Sequence, residues 1–340
     1  MKSATIRERT EQLGLLVTGI LALVMLGFIV VHWGQHLPVL DAVYDWYRDV
    51  GRLLDVVLGT NVFRHPFMWQ SLATGVFIGI VAPLVGTFVV HREMALIGET
   101  LAHTAFAGVA VGFLLIAFTA WDGPLLLVAL VVAVIGALLV QWLIDQTHTY
   151  GDVPIAIMLS GSFALGTLLI SWGRNFMAVA IDVEGFLFGS IAVVTVDGAR
   201  LMAVLTVAVV SIVLYSYKSL LFITFDEKAA RVAQFNVRWY NILLIIMTAV
   251  VVVGAMQFLG VILVAAMLVV PVAAATQVAK SFHETVILSI LFGQIAVITG
   301  FAYSLTYSLP AGGSIVMAAI AIYILSILVG RREAIALSAR

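Results

Sequence analysis

Glu99 and His103 are the residues of this sequence best equipped for chemistry. They stand four positions apart in a stretch, residues 92–115, that is otherwise apolar enough for a bilayer. On a helix that spacing puts both side chains on one face, a turn apart. A carboxylate and a neutral imidazole on a shared face can hold a divalent metal ion. Each is expensive in hydrocarbon, so a helix that keeps both is expected to line a protein interior or a wet path. The plainer alternative is that they hydrogen-bond to neighbouring helices, and spacing alone leaves that open. Gly98, Ala102, Ala105, Gly108 and Gly112 recur around the pair, and such small residues let neighbouring helices approach. A coordinating imidazole must be unprotonated, so metal binding by this pair should weaken as pH drops through the titration of the imidazole, about 6.5 when unperturbed.

The elements that must position this pair are transmembrane. Of 340 residues, 63% are hydrophobic and 10% charged, with a mean hydropathy of +1.16. That much apolar surface needs a bilayer and excludes an ordinary soluble domain. A net charge of −1 argues against nucleic acid, which is bound through clustered Lys and Arg. Without cysteine there are no disulfides or thiolate ligands, so a metal site must use His, carboxylates, amides or carbonyls. The expected fold is an all-α polytopic integral membrane protein with about 8–10 transmembrane helices. Apolar runs lie near 13–31, 67–90, 94–118, 124–145, 153–172, 199–220, 239–257, 259–279, 284–305 and 314–330. The first is too long for a signal-peptide core and lacks a small-residue cleavage site, so it reads as a retained span. Residues 38–66 mix Asp41, Asp45, Arg48, Asp49, Arg52 and Asp55 with Tyr44, Trp46 and Tyr47, the pattern of an amphipathic helix in the membrane interface. Residues 1–66 are therefore set apart from the main transmembrane domain, 67–340. Placing both termini in the cytoplasm puts twelve Lys and Arg inside and five (Arg48, Arg52, Arg64, Arg174 and Arg200) outside, the usual positive-inside bias.

Four further stretches depart from plain spans. Residues 182–198 are too short to cross and read as a re-entrant element packed inside protein or as an ordinary surface helix. Residues 222–237 are the most polar internal stretch. Thr224 with Glu227 three positions on makes a capping-box pattern, and Asp226, Glu227 and Arg231 are ordered as a helix dipole favours. A short helix there could seat in a partner's groove or simply be a solvated loop helix. Pro271 interrupts the apolar run 260–277 and should kink it, beside a path or merely in packing. Pro310 marks a turn between the last two runs. None of the four lysines follows a glycine-rich phosphate loop, so ATP, if used, binds another chain. His283-Glu284 cannot begin a zinc-protease H-E-x-x-H, because position 287 is Ile.

Several of these stretches resemble the permeases of zinc, manganese and iron ABC importers. Arg92, Met94 to Gly98, Leu101, His103, Gly108, Ala110 and Gly112 fit the motif R-x-M-A-L-I-G-D-x-L-x-H-x-x-x-x-G-x-A-x-G, with Glu99 in place of the usual Asp. Leu187 to Ile191 with Asp197 fits a second motif, and Phe225, Asp226 and Ala230 fit the family's coupling helix, where Gln234 replaces a Gly. The run from Gly260 through Pro271 and the turn 304–316 also fit, although Ser308 stands where an Asp is common; Asp152 matches a family acid. The resemblance covers residues 67–330. It implies a transmembrane permease that moves a divalent metal ion as substrate, with no permanently bound cofactor. It further implies a homodimer in a prokaryotic plasma membrane, a cytoplasmic ATPase subunit, an extracytoplasmic metal-binding protein and surrounding lipid as partners. Glu99 and His103 would bind metal; Thr224, Asp226, Glu227 and Ala230 would couple to the ATPase; Gly98, Gly108, Pro271 and Pro310 would line or gate the path. A self-sufficient carrier driven by an ion gradient is the alternative, against which stands the lack of a convincing internal repeat.

Overall fold

The computed structural model describes residues 2–34, 38–119, 123–146, 153–173, 187–189 and 194–338. The helices in chain order are α1 (Lys2–Trp33), α2 (Pro38–Leu58), α3 (Pro66–His91), α4 (Ile97–Thr119), α5 (Leu125–Gln146) and α6 (Val153–Gly173). They continue as α7 (Val196–Phe225), α8 (Glu227–Val232), α9 (Val237–Leu259), α10 (Val264–Thr276), α11 (Phe282–Tyr307) and α12 (Ala311–Ser338). Among the described residues there is no strand, and nine helices are long and apolar enough to span a membrane.

The eighth of the ten expected spans, 259–279, is broken. Its helix α10 has 13 residues, about 20 Å at 1.5 Å per residue, against a hydrocarbon core of about 30 Å. At the break Gly260 adopts φ 84° and ψ 155°, a conformation essentially reserved for glycine, and ends α9. The segment nevertheless runs the depth of the bundle beside α12. Gly312 packs against the Leu259 carbonyl at one end of α12, and Gly330 packs against the Gln277 carbonyl at the other.

The middle of the molecule is α3. It is apolar all round, which suits a helix enclosed by others. Helices α1, α7, α9, α10 and α11 all pack on it. Two close approaches make this enclosure possible. A Cβ at Gly86 would stand 1.9 Å from the Leu268 carbonyl oxygen of α10, and one at Gly293 of α11 would stand 2.6 Å from the Gly79 carbonyl oxygen.

Helix α2 is amphipathic, as read from sequence. Tyr47 is buried, donates from its hydroxyl to the Val24 carbonyl at 2.8 Å and packs edge-on against Phe28 and Trp69, binding the α1–α2 pair to α3. Val43, Trp46, Leu53 and Val56 stay exposed on it. Of the expected re-entrant stretch 182–198, residues 182–186 and 190–193 lie outside the described residues, as do Asp152, His36 and His148. What is described is a tight knot: Gly189, at φ 72°, packs against the α9–α10 corner, and the Ile262 amide donates to the Leu187 carbonyl at 3.3 Å.

Candidate metal site and coupling corner

Helix α4 opens two turns before its functional pair is complete. With Ile97 as its first residue, Glu99 and His103 lie about 3 and 9 Å along the axis, near the end of the bundle that carries α8. The His103 Nε2 and Glu99 Oε1 atoms are 4.0 Å apart. That is too long for a hydrogen bond and somewhat wider than the roughly 3.4 Å between two tetrahedral ligands at about 2.0–2.2 Å from one ion, a gap that a side-chain rotation closes. The His103 side chain is 14% exposed and its ring meets Phe163 of α6 edge-on at 4.9 Å. Glu99 is 46% exposed, so part of its carboxylate is left uncovered by this chain.

The plainer alternative required hydrogen bonds from this pair to neighbouring helices. Among the described residues neither side chain makes such a bond, and His103 Nδ1 is buried without a partner. The polar contacts that clasp α4 to α6 come from other residues. Thr104 and Ser162 share a hydrogen bond of 3.0 Å, and the Thr100 hydroxyl donates to the Ile155 carbonyl at 3.2 Å. Sequence reading passed over these, because threonine and serine in an apolar run usually bond back to their own helix. Among the described residues no cluster of three or more His, Cys, Asp or Glu could hold a metal.

The other expected path residues scatter. Gly98 faces Leu268 and Ala265 of α10, close to the pair. Gly108 lets α5 approach, since a Cβ there would stand 2.8 Å from the Ala129 Cα. Pro271 is buried in α10. Pro310 is exposed in the α11–α12 turn, and α12 packs on α9, α10 and α11 rather than on α4. The residue before that turn, Ser308, takes the left-handed conformation (φ 52°) that ends α11.

The coupling stretch does form a helix, α8, but its cap differs from the expectation. Asp226, not Thr224, is the N-cap: its carboxylate accepts from the Ala229 amide at 2.8 Å. Thr224 belongs to the last turn of α7, where its hydroxyl donates to the Leu220 carbonyl at 2.6 Å. Helix α7 runs on to Phe225, so the cap falls two residues later than the capping-box pattern supposes, and Glu227 becomes the first residue of α8, paired with Arg231 at 2.5 Å. Ala230 is fully buried against Ile223 and Val237, so it packs α8 down instead of facing outward. The outward positions are Lys228, Arg231 and Val232, the last 85% exposed, with Phe225 and Trp239 exposed beside them. Gln234 follows at φ 61°, the left-handed region glycine prefers, which accounts for the glycine usual there in similar sequences. Asn236 then caps α9 by accepting from the Trp239 amide.

One residue that the sequence offers as a motif position without a role of its own ties these parts together. Arg92, in the turn between α3 and α4, donates from Nε to the Thr224 hydroxyl at 3.0 Å and from Nη1 to Asn241 Oδ1 at 2.6 Å. Burial pulls its guanidinium down to about 10, against the opposing pull of the Glu227 carboxylate, so it stays charged at neutral pH. Beside it lies a cavity of about 520 Å³ lined by Glu93, Gln141, Thr224, Glu227 and Asn241 among others. An arginine at the head of the helix bearing Glu99 and His103 was the available signal.

The family model described as the ABC 3 transport family matches residues 64–330. The manganese transport system membrane protein MntC of Listeria monocytogenes is 27% identical over 278 residues, spanning 82% of this chain and 96% of that protein. The manganese import permease ScaB of Streptococcus gordonii is 30% identical over 78% of this chain and 92% of its own length. The zinc uptake membrane protein ZnuB of Haemophilus influenzae is 28% identical over 76% of this chain and 96% of its own. Among solved structures, PsaBC from Streptococcus pneumoniae, in complex with Fab, superposes with a TM-score of 0.67 at 30% identity, over 76% of this chain and 90% of that one. An inward-facing ABC transporter of metal-chelate type shares the fold at a TM-score of 0.60 and 16% identity, over 94% of this chain and 99% of that one. With the family model covering most of its length, this multi-pass chain belongs to the ABC 3 transport family, as the permease subunit of a metal ABC importer.

Proposed function

We propose that this permease imports a divalent transition metal ion, manganese, zinc or iron, across a prokaryotic plasma membrane, and that Glu99 and His103 bind the ion in passage. The observation that carries the reading is a carboxylate left 46% exposed on a span beside an imidazole with no hydrogen-bonding neighbour. Neither group hydrogen-bonds to another helix among the described residues, and hydrocarbon is a poor surrounding for either. Two ligands are fewer than the four to six such ions prefer. A homodimer with its axis near α4 and α6 would bring a second Glu99–His103 pair. The exposed face of α6 next to Phe163 is small (Ala156, Ser160, Gly161 and Ala164), which favours close contact with a second copy.

In this reading both termini are cytoplasmic, and α8 with its exposed Val232, Phe225 and Trp239 seats in a groove on a separate ATPase. ATP hydrolysis belongs to that chain, consistent with the missing phosphate loop, and an extracytoplasmic protein delivers the metal to the opposite end. No permanent cofactor is required. Residues 1–66 form an added N-terminal unit, a span plus an interfacial helix whose exposed apolar residues rest in lipid.

Uptake per folded permease tests the site. His103→Ala and Glu99→Gln should each lower metal uptake at least about tenfold without reducing membrane-inserted protein. Glu99→Asp should be tolerated, since similar permeases carry the shorter acid. Wild-type uptake per molecule by both of the first two variants would exclude the pair from the path. Uptake sustained by an ion gradient with no ATPase present would instead favour a secondary carrier.

A further inference from the structure

We propose that Arg92 is the positioning residue through which movement of α8 reaches the helix that bears Glu99 and His103; this rests on the reading of α8 as the ATPase contact. The geometry supports a two-point grip. The Arg92 guanidinium holds Thr224, two residues before the α8 cap Asp226, and Asn241, in the second turn of the helix that follows α8. Both flanks of α8 are thus tied to one side chain. That side chain sits five residues before Ile97, the start of α4, in a turn bent by Glu93 at φ 58°. A planar guanidinium with divergent N–H groups can pull on both anchors in a fixed geometry, which a single flexible ammonium cannot.

Helix α4 also packs on α9, and α3 on α7 and α9, so the tie works beside helix packing and concentrates at the α3–α4 turn. The cavity of about 520 Å³ lies between the α3–α4 turn and the α7–α8–α9 corner, so close-packed side chains are missing where they would otherwise transmit displacement. The ring contacts there, His91 edge-on to Phe225 at 6.3 Å and Phe88 edge-on to Tyr217 at 6.2 Å, carry no directional bond. The third guanidinium nitrogen, Nη2, is buried with no partner among the described residues. A buried charge left short of one hydrogen bond is costly, and a clasp that changes partners as α8 moves would use that free donor.

The test uses the permease in complex with the ATPase that co-purifies from its host, in proteoliposomes with the external binding protein and Mn(II). Arg92→Lys keeps the charge but loses the fork; Asn241→Leu removes one anchor; Asn241→Asp keeps the acceptor. ATP hydrolysis per assembled complex should stay near wild type in all three. Mn(II) moved per ATP should fall at least about fivefold in Arg92→Lys and Asn241→Leu and be retained in Asn241→Asp. A wild-type ratio in the first two overturns the proposal. So does a parallel loss of hydrolysis, uptake and assembled complex, which is what a merely structural role would give. Failure of the underlying reading looks different: Val232→Asp on the exposed face of α8 would leave ATPase capture and ATP-dependent uptake at wild type, and the proposal would fall with it.

Discussion

Asp55 shows how much one side chain can organise outside the membrane spans. Its carboxylate accepts from the Thr60 hydroxyl, from the amides of Val62, Phe63 and Arg64, and from the Arg64 Nε, all between 2.9 and 3.2 Å. Removal from water would raise its pKa, but those donors outweigh that and hold it at about 2. A carboxyl whose folded value lies below its unfolded one, ordinarily about 3.9, stabilises fully above that unfolded value and loses the contribution as pH falls through the folded one. Asp55→Asn should therefore speed proteolysis and amide exchange of residues 59–65 at neutral pH. The gap between variant and wild type should close as pH drops from about 4 toward about 2. A gap that persists unchanged at the acid end would assign the loop's order to something other than the Asp55 charge.

At the scale of elements, the α7–α8–α9 corner separates what anchors a coupling helix from what it presents. Ala230 is fully buried beneath α8, so Ala230→Trp would lift the helix from Ile223 and Val237 and harm folding and coupling together. Val232, 85% exposed, is the better probe. Val232→Asp should leave the thermal stability of the detergent-solubilised permease within about 0.5 kcal/mol, as surface changes usually do. It should weaken capture of the ATPase by about tenfold or more, because a carboxylate would be buried without a partner. Normal pull-down and uptake by this variant would mean that the ATPase does not seat on α8.

For the whole molecule, orientation and assembly can be read with single cysteines, since the wild type has none. With both termini cytoplasmic, Leu309→Cys should be labelled by an impermeant reagent in intact cells, whereas Val232→Cys should be labelled only after lysis. The reverse pattern would invert the topology. Ser160→Cys on the exposed small face of α6 should form a disulfide-linked dimer under mild oxidation. Val131→Cys on the exposed face of α5 should not. Cross-linking through α5 alone would move the dimer axis away from Glu99 and His103.

Composition and periodicity suffice for what depends on local chemistry. A 63% apolar chain with runs of about 20 residues must be helical and embedded, because only internally bonded segments survive in hydrocarbon. The Glu99–His103 pairing is legible too, since an i,i+4 spacing has one outcome on a helix. The amphipathic α2 and the existence of α8 follow on the same local grounds. Tertiary structure decided what depends on residues distant in sequence. The grip of Arg92 on Asn241 spans 149 positions, and no local pattern distinguishes it from an arginine that merely marks the end of a span. Ala230 was buried by the packing of α8 on residues either side of it, Ile223 and Val237, which small size alone does not reveal. The break before α10 arose where Gly260 meets Leu187 and Gly189 across some seventy residues, a contact that only the assembled bundle creates.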